Sequence, residues 1–546
     1  MRHLILSFIL GCVCFISNAA IGDEFTLNGI TYVIKSENTV GVSSASNDIV
    51  DCSIPEIATN NSINYTVVSI EKDAFYWSNV KNISLPNSIT TIGYGAFRSS
   101  PLASISLPSN LTAIGEYAFY KTELASITIP EGITAIEAST FSQCTYLTEI
   151  NLPSTLQKIG QGAFYKCSLT TLNIPTSCTT LGMYAFEHCS ALVQITLPNG
   201  LTEIPMGLFQ DCTSLTQITI PESVTTIKEA AFQNTGLTAI HFPKNVNAIQ
   251  ANSFNDTQLS TISVANDNST FTIIDGALYT SDKRFIYLYP RITETKKYDI
   301  IDGCVAVWGG AFYGCDIKTV TFPNNFIGID AFSFCYSQLE SVELPNSIEA
   351  IWEQAFAGTK LTTITIPEGV TQLTDAVLAD CQKLSTITLP SKLTAVGNRA
   401  FFRCTALTTI NCLGSTPSEF DAWETYTDPF YGVDCSKITI KCPTSSVEDY
   451  KLSEWGDFFT NIEGTDFNGV EDNFIKDIAI TTNNGIIAID LSNGVNCNIS
   501  ISNLNGIVLY NITNVQNNFI TENLPHGIYI VSIQNARSTI VKKVII

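Results

Sequence analysis

The sequence is poor in the side chains from which catalytic and metal sites are usually built. It contains four histidines, His3, His188, His241 and His526, and no Cys-x-x-Cys pair. Zinc sites need closely spaced Cys and His ligands, and Ser-His-Asp or Cys-His catalysis needs a histidine near a nucleophile. No phosphate-cradling glycine motif is present either. We therefore expect no enzyme activity and no catalytic, metal or cofactor-binding residues, with His188 and His241 as surface residues.

Positive charge and long apolar runs are also scarce. The 28 Lys and Arg residues face 50 Asp and Glu residues, which gives a net charge of −22. Nucleic acids and anionic membranes attract basic surfaces, so neither is an expected partner. After residue 19 no stretch approaches the roughly 20 apolar residues of a membrane span, so we expect no transmembrane segment.

Residues 1–19 have the parts of an export signal. Arg2 supplies the positive start, Leu4 to Ile16 the apolar stretch and Ser17-Asn18-Ala19 a small-residue cleavage site. The alternative is a lipoprotein signal lipidated at Cys12, but the apolar run continues past that cysteine. A secreted protein, or one attached to the outer cell surface, is predicted.

What the sequence has in abundance is a repeat of about 22 to 23 residues. Each copy contains a phenylalanine, replaced once by Leu378, and a fixed period of this size predicts a solenoid whose coils bury their apolar edges against each other. The phenylalanines are Phe75, Phe97, Phe119, Phe141, Phe164, Phe186, Phe209, Phe232, Phe254, Phe312, Phe332, Phe356 and Phe401.

Twelve copies are built around a proline. Apolar residues stand six, three and one positions before it and three and six positions after it, as in Leu102, Ile105 and Leu107 before Pro108. This spacing predicts a short strand that ends at the proline, which offers no donor to the ladder, followed by a tight turn or one helical turn. The predicted fold is a β-rich solenoid with a parallel sheet.

Fifteen cysteines follow the export signal, and most of them hold one position in the repeat. Eight come three residues after the repeat Phe or Leu, namely Cys144, Cys167, Cys189, Cys212, Cys315, Cys335, Cys381 and Cys404. Other copies place Ser or Thr there, so we expect a buried position that needs small volume and no covalent partner. Cys412 and Cys442 alone stand at equivalent points of strands that could be neighbours, which leaves a disulfide between them open.

The period is interrupted and capped at identifiable places. Residues 266–303 interrupt it, where Phe271 to Tyr279 and Phe285 to Tyr289 predict a β-hairpin around Ser281-Asp282-Lys283. Alternating strands predict an N-terminal β cap over 20–70. A possible capping box, Ser445 and Glu448, begins a short helix to Trp455 within a C-terminal cap over 443–462.

The repeat pattern L-x-x-I-x-L-P with A-F-x-x-C, as in Leu147 to Pro153 and Ala163 to Cys167, resembles the BspA-like leucine-rich repeats of bacterial surface proteins. The resemblance covers about residues 65–460, and the predicted solenoid runs over 71–462. It departs from commoner leucine-rich repeats because no fixed Asn follows the strand, so no asparagine ladder is expected. It implies adhesion to host matrix, epithelial or bacterial partners.

After an acidic linker at 463–474 the repeat disappears. Residues 475–546 contain about seven alternating runs broken by turn dipeptides such as Asn484-Gly485 and Asn505-Gly506, which predicts a small antiparallel β-sandwich. Leu524 to Tyr529 and the ending Lys542 to Ile546 resemble the C-terminal sorting domain of type IX secretion. The resemblance implies contact with the secretion machinery and removal of the tail near 462–475; an ordinary adhesive sandwich is the alternative.

Two surfaces are candidate binding sites. The outward positions two and four residues before each proline carry hydroxyl and amide groups, and we expect partner contacts at Glu149, Asn151, Asn173, Gln194, Thr196, Gln217, Thr219 and His241. Tyrosines near the repeat Phe, Tyr76, Tyr94, Tyr120 and Tyr165 among them, form the second candidate, because aromatic side chains anchor many interfaces.

The sequence thus predicts a monomeric, non-enzymatic surface protein that binds an extracellular protein. A glycan-binding protein is the alternative if exposed aromatics lie at one site. A hydrolase with an unrecognised carboxylate pair is the second alternative, and it would need two acids about 5 to 9 Å apart in a cleft.

Overall fold

The structure is a computed structural model that describes residues 20–291, 296–420, 428–465, 467, 479–483, 486–491, 497–503, 507–515, 519–525, 527–534 and 539–545. It forms two compact units, Met1–Leu237 and Thr238–Ile546. The predicted signal peptide at 1–19 and most of the predicted linker at 463–474 lie outside the described residues.

The first unit opens with strands that run into a parallel solenoid. The opening strands are Glu24–Leu27, Ile30–Ser36, Thr39–Ala45, Ile57–Asn60 and Ile63–Ile70. Among these strands the pairing is mostly antiparallel, and Ile63–Ile70 then pairs in parallel with the first coil through Ser69 and Thr91. A solenoid needs such a cover over the apolar edge of its first coil.

Most coils of the first unit carry two short parallel strands. One row ends just before the proline and alternates exposed and inward residues: Asp51–Ser53, Asn82–Ser84, Ser104–Ser106, Ser126–Thr128, Glu149–Asn151, Thr171–Asn173 and Gln194–Thr196. The other row follows the proline: Thr91–Ile92, Ala113–Ile114, Ala135–Ile136, Lys158–Ile159, Thr180–Leu181, Glu203–Ile204 and Thr226–Ile227. Between the rows the proline carbonyl accepts a hydrogen bond from the third residue after it, as from Leu111 to Pro108 at 3.1 Å.

The repeat phenylalanines form a stacked column inside the first unit. From Phe75 to Phe232 all eight rings are fully buried, and neighbouring centroids lie 5.1 to 5.8 Å apart with nearly parallel planes. Each Phe N–H donates to the carbonyl of the residue just before the next Phe, as from Phe97 to Ala118 at 2.7 Å. The predicted solenoid with a shared core is confirmed.

The second unit continues the same coil design. The strands before the turn are Ala239–Phe242, Thr261–Val264, Lys297–Asp299, Thr319–Thr321, Ser341–Val342, Thr363–Thr365, Thr386–Leu389, Thr409–Cys412, Thr439–Cys442 and Asn461–Gly464. The strands after it are Ala248–Ile249, Ala306–Val307, Gly328–Ile329, Ala350–Ile351, Gln372–Leu373, Ala395–Val396 and Glu419–Phe420.

The interruption of the period is a three-stranded antiparallel meander and not a single hairpin. Phe271–Ile274 pairs with Ala277–Thr280, which pairs with Phe285–Leu288. Asp275 and Gly276, both with positive φ, make the additional turn inside the predicted first strand. The third strand rejoins the solenoid by pairing in parallel with Ala306–Val307.

Two predicted assignments in the second unit are corrected, and two further rings join the column. Phe334, and not Phe332, stacks between Phe312 and Phe356 at 4.9 and 5.5 Å. Ser337 therefore holds the small buried position of that coil, and Cys335 packs beside it with Ala357 and Ala379. The column also includes Tyr289, 5.0 Å from Phe312, and Phe430, 5.1 Å from Phe401, neither of which the repeat predicted.

The last coil is sealed by two short helices where one was predicted. Val447–Leu452 (α1) and Glu454–Phe458 (α2) follow 3-10 turns at Cys435–Lys437 and Thr444–Ser446. Ser445 lies in the second turn, so the predicted capping box does not form, and Ser453 instead caps α2. Tyr450, Trp455 and Phe459 are buried as expected.

The C-terminal region forms two antiparallel sheets, as predicted for a β-sandwich. Its strands are Ala479–Asn483, Ile486–Asp490, Cys497–Asn503, Val508–Val515, Phe519–Ile520, Ile528–Gln534 and Thr539–Ile545. The apolar sides of Ile487, Ile499, Val531 and Ile533 fill a small core. The turn dipeptides from Asn484-Gly485 to His526-Gly527 lie wholly or partly outside the described residues. Among the helices of the described residues, none is long and apolar enough to cross a membrane.

Candidate binding surface

The predicted strand-face residues of the first unit are exposed and tied to one another. In strands Glu149–Asn151, Thr171–Asn173 and Gln194–Thr196 the end residues face outward and the central residue is buried. Thr196 Oγ1 donates to Asn173 Oδ1 at 2.9 Å, and Asn151 Nδ2 donates to Thr128 Oγ1 at 3.3 Å. Because the coils align in register, like positions form such lateral bonds, which order the face and occupy part of its hydrogen-bonding capacity.

Two predicted strand-face residues do not lie in a strand. Gln217 and Thr219 are exposed but belong to a segment without assigned secondary structure. In the second unit, His241 is exposed in strand Ala239–Phe242, and its Nδ1 lies 2.9 Å from Ser263 Oγ. The strand face is thus a set of short sheets and not one uninterrupted ladder.

The return side presents its side chains through a repeated backbone device. The residue two positions after the repeat Phe has positive φ in almost every coil, for example Trp77 (55°), Ser99 (58°), Lys121 (59°) and His188 (59°). A left-handed residue there reverses the chain tightly, so residues one and two positions after the Phe leave the core. Residues that hold the same position in neighbouring coils come to lie side by side.

One such set is a cluster that we call the aromatic patch: Tyr76, Trp77, Tyr94 and Arg98. The three rings are exposed by 44%, 69% and 38% of their area. The Arg98 guanidinium lies 4.2 Å from the Tyr76 ring centroid, and the Lys72 ammonium lies 5.4 Å from that of Tyr94. Such cation–π pairs hold rings in place at a surface.

The two tyrosines expected at the interface are less accessible than the aromatic patch. Tyr120 is half-buried and packs on Tyr117 with ring centroids 5.8 Å apart. Tyr165 is also half-buried and meets His188 edge-on at 5.6 Å. Sequence reasoning noticed Tyr76 and Tyr94 as return-side tyrosines but missed Trp77, although its position after Phe75 indicated the exposure.

The cysteine position is buried and has a hydrogen-bonding role. The thiols of Cys144, Cys167, Cys189 and Cys212 point at the carbonyl of the repeat Phe in the preceding coil, at 2.9 to 3.1 Å. Burial raises the pKa of Cys144 to about 11 and that of Cys189 to about 12. These thiols stay protonated at neutral pH, which makes them poor nucleophiles and metal ligands.

Cys412 and Cys442 lie on neighbouring parallel strands, as the sequence suggested, and both are free thiols. All fifteen cysteines of the described residues are free, and all but Cys435 are buried. The protein thus carries a cysteine-rich core without cross-links in this structure.

Glu187, His188 and Asp211 meet on the return side of the first unit. His188 Nε2 lies 3.4 Å from Asp211 Oδ2 and 3.8 Å from Glu187 Oε1. Burial, and then the nearby Asp211 charge, raise the pKa of Glu187, while His188 opposes the shift. Sequence reasoning treated His188 alone and missed both the adjacent Glu187 and Asp211, which the period of 23 residues brings to it.

Comparison with known proteins identifies the repeat. A family described as the BspA type leucine-rich repeat region matches residues 68–193, 158–283 and 308–423. These ranges cover more than half of the chain. The chain belongs to the BspA-type leucine-rich repeat family.

The tail is identified in the same way. A secretion system C-terminal sorting domain matches residues 483–546, the region that folds as the antiparallel sandwich. The BspA-type repeats are therefore carried by an exported protein that reaches the outer cell surface or is released from it. Removal of the tail near 462–475 and the precise domain boundaries stay predictions.

Solved structures of similar proteins come from several bacteria. A leucine-rich cell surface protein of Faecalibacterium prausnitzii shares 27% identity, with 74% of this chain and 98% of that chain covered and a TM-score of 0.48. The pneumococcal vaccine antigen PcpA shares 19% identity over 82% of this chain and 100% of its own, with a TM-score of 0.47. A leucine-rich repeat protein of Bacteroides ovatus shares 23% identity over 77% and 99%, with a TM-score of 0.40. No curated protein matches this chain.

Proposed function

We propose that this exported BspA-type protein is a non-enzymatic binding protein that attaches to an extracellular protein through the aromatic patch. The observation that carries the proposal is that Tyr76, Trp77 and Tyr94 are all exposed on two consecutive coils, with Arg98 over the Tyr76 ring and Lys72 over the Tyr94 ring. Trp, Tyr and Arg are the residues most enriched among those that dominate binding energy at protein interfaces.

The patch has the rigidity that an anchor needs. Its members stand on coils whose Phe core and backbone ladder fix them, and Arg98 is held between the Tyr76 ring and Asp73, whose Oδ1 lies 3.8 Å from Arg98 Nη2. Little side-chain entropy is then lost on binding, which favours affinity.

The same contacts favour a protein partner over a glycan. Sugar rings stack on open aromatic faces, but Arg98 lies over Tyr76, and Lys72 lies over Tyr94. Trp77 meets Tyr76 edge-on at 6.2 Å. Other exposed aromatics, such as Tyr146 and Trp352, are distant in sequence from the patch. The glycan-binding alternative requires the exposed aromatics to lie at one site, and only some of them do.

The strand face is the competing contact region. It comprises the residues expected from sequence: Glu149, Asn151, Asn173, Gln194, Thr196, Gln217, Thr219 and His241. Its groups are small, polar and partly engaged with each other, so it provides specificity more readily than binding energy. We rank it below the aromatic patch.

The proposal is tested with variants that the repeat itself supplies. Ser142, Ser99 and Glu116 occupy the positions of Tyr76, Trp77 and Tyr94 in neighbouring coils. The triple variant Tyr76→Ser, Trp77→Ser, Tyr94→Glu therefore keeps a sequence that the coil accepts. The control is Gln194→Ala, Gln217→Ala, His241→Ala on the strand face.

Both variants and the natural protein are compared for binding to immobilised extracellular-matrix proteins, whole bacterial cells and a glycan array. We expect saturable binding to a protein target that the patch variant loses by roughly 100-fold, since two or three anchor residues are removed. We expect the control to keep it. If only the control variant lost binding, the binding site would be the strand face. If the protein bound only glycans, the partner would be a glycan and not a protein.

A further inference from the structure

Three side chains that ligate metals converge on the return side of the first unit. They are the imidazole of His188 and the carboxylates of Glu187 and Asp211, and one ligand atom from each lies within 4.8 Å of the others. The exposed fractions of the side chains are 40% for His188, 19% for Glu187 and 22% for Asp211, so the cluster is partly buried but open to solvent.

The repeat register builds this cluster. His188 and Asp211 both stand two residues after a repeat Phe, with φ of 59° and 61°. The His188 N–H donates to the carbonyl of Gln210 at 2.8 Å, which locks the two coils side by side at this point. Glu187, directly before His188, adds the third group from the same turn.

Neighbouring side chains orient the ligands. Asn234, at the same position in the next coil, donates from Nδ2 to Asp211 Oδ1 at 2.6 Å, and Oδ2 is the oxygen that lies 3.4 Å from His188. The Tyr165 ring packs edge-on against the imidazole. Hydrogen-bonded carboxylates and oriented imidazoles of this kind are typical supports of metal ligands.

We propose that Glu187, His188 and Asp211 bind a divalent transition-metal ion, with Zn²⁺ as the best fit and at least one coordination position left for water or a partner's group. Zinc is bound by His nitrogen and carboxylate oxygen at about 2.0 to 2.2 Å, so two ligands of a tetrahedral ion lie roughly 3.3 to 3.6 Å apart. The separation of His188 Nε2 and Asp211 Oδ2, 3.4 Å, has this value, and Glu187 Oε1 lies 3.8 Å from the same nitrogen.

The donor set also decides between metals. An imidazole among the ligands favours Zn²⁺, Ni²⁺ or Cu²⁺ over Mg²⁺ and Ca²⁺, which prefer oxygen. Separations of 3.4 and 3.8 Å exceed those of good N–H···O hydrogen bonds. Two carboxylates beside one imidazole attract a divalent cation, and the Lys166 charge near Glu187 offsets part of that attraction.

The adjacent thiols are separated from this site. Cys189 and Cys212 follow His188 and Asp211 in the sequence but point into the core, where both are fully buried. Burial raises the pKa of both thiols. Binding at the surface cluster therefore depends on His188 and not on cysteine.

The test is calorimetric titration of the metal-stripped protein with Zn²⁺, in the presence of a non-thiol reductant. His188→Asn and Asp211→Asn are the variants, because Asn234 shows that Asn is accepted at this left-handed position. His241→Asn, which removes another exposed histidine, is the control. We expect each of the first two to weaken Zn²⁺ binding by roughly tenfold or more, with the control unchanged.

Substitution with Co²⁺ gives an independent readout, since its absorption distinguishes nitrogen and oxygen ligands from thiolate. We expect visible bands without the intense thiolate charge-transfer band, and their loss in His188→Asn. The proposal is overturned if the protein takes up no Zn²⁺ at millimolar concentration, if both variants bind as well as the natural protein, or if the Co²⁺ spectrum shows thiolate ligation.

Discussion

At the scale of single residues, the position three residues after the repeat Phe shows how much can be predicted from the residue types found there. Its occupants are Cys, Ser and Thr. The sequence therefore predicts that this position accepts only small side chains. The structure adds a chemical reason that many of the occupants share, although the buried hydroxyls of Ser78 and Ser337 make no hydrogen bond. The Cys189 thiol donates to the Phe164 carbonyl at 3.1 Å, and the Thr122 and Thr235 hydroxyls donate to the repeat Phe carbonyl of their own coil at 3.0 and 2.8 Å. All three residue types are small and carry a hydrogen-bond donor, whereas alanine and valine carry none.

This hydrogen bond can be isolated with an isosteric pair at one cysteine. Cys189→Thr and Cys189→Val have nearly the same shape, but only threonine keeps a donor. Because a net buried hydrogen bond contributes about 1 kcal/mol, we expect the threonine variant to be more stable than the valine variant by about that amount. Urea denaturation of the reduced proteins measures the difference.

The opposite order would show that apolar character and not hydrogen bonding stabilises this position, since valine is the more hydrophobic of the two. Equal stability of the two variants would mean that the hydrogen bond contributes nothing measurable. Thr359→Val, at an equivalent buried position in the second unit, provides a repeat of the comparison in another coil.

At the scale of the element, most of the coil was predictable because each coil repeats the same few constraints. Spacing predicts the strand before the proline and the inward phenylalanine. It also predicts the turn, in which the proline carbonyl accepts a hydrogen bond from the third residue after it. The assignment failed where two sequence rules disagreed: Ala331-Phe332 matches the usual Ala-Phe pair, whereas Phe334 has the usual distance from Ile329. Spacing prevails because the backbone ladder, in which Phe312 donates to Ser333 at 2.8 Å, fixes the number of residues per turn.

Insertions explain the other element-level errors. Tyr289 and Phe430 join the aromatic column, but the meander and a longer connection displace them from the period, so no fixed spacing pointed to them. The capping box failed for a local reason. The chain breaks the helix at Ser453, where a hydroxyl caps α2. Ser445 falls in a 3-10 turn, whereas Glu448 lies in the first turn of α1.

The corrected register predicts unequal costs for two nearby phenylalanines. Phe334→Ala removes a fully buried ring from the column and should cost roughly 3 to 5 kcal/mol of unfolding free energy. Phe332→Ala, the matched control, removes a half-buried ring at a left-handed position and should cost roughly 1 kcal/mol or less.

Denaturation midpoints of the two variants under identical conditions give the comparison. Similar losses of unfolding free energy in both variants would mean that Phe332 belongs to the buried column. A larger loss for Phe332 would contradict the stacking of Phe334 between Phe312 and Phe356.

At the scale of the whole molecule, many buried free thiols couple stability to pH. Burial raises the pKa of Cys144 and Cys381 from 9.0 to about 11 and that of Cys189 to about 12. The folded state therefore holds these protons more tightly than the unfolded chain. The stabilisation is fully present below about pH 9 and declines between about pH 9 and 12, as the unfolded thiols ionise first.

We expect the unfolding free energy of the reduced protein to fall above pH 9 by as much as about 1.4 kcal/mol per pH unit for each such thiol. Urea denaturation from pH 7 to 10.5 measures the slope. The variant Cys144→Thr, Cys189→Thr, Cys381→Thr should show a shallower decline, because hydroxyls do not ionise in this range. An unchanged slope would mean that these thiols do not titrate as the structure implies.

The candidate sites were only partly predictable from sequence. The exposure of Glu149, Asn173 and Gln194 followed from strand alternation, which is a local property. The aromatic patch and the cluster around His188 instead depend on which residues of neighbouring coils share a position, so they require the register between coils. That register was implicit in the period, and Trp77 and Asp211 were missed because the outward positions of the return turn were not compared across coils.

The central claim is that the repeat register divides each turn into a buried ring and an outward pair, which places the aromatic patch on the surface. Hydroxyl-radical footprinting of the native protein, with each residue's modification rate divided by its rate in urea, tests it most directly. We expect strong protection of Phe75, Phe97 and Phe119, and rates for Tyr76 and Trp77 close to those of the unfolded chain. Equal protection of Phe75 and Trp77, or greater protection of Trp77, would contradict the account.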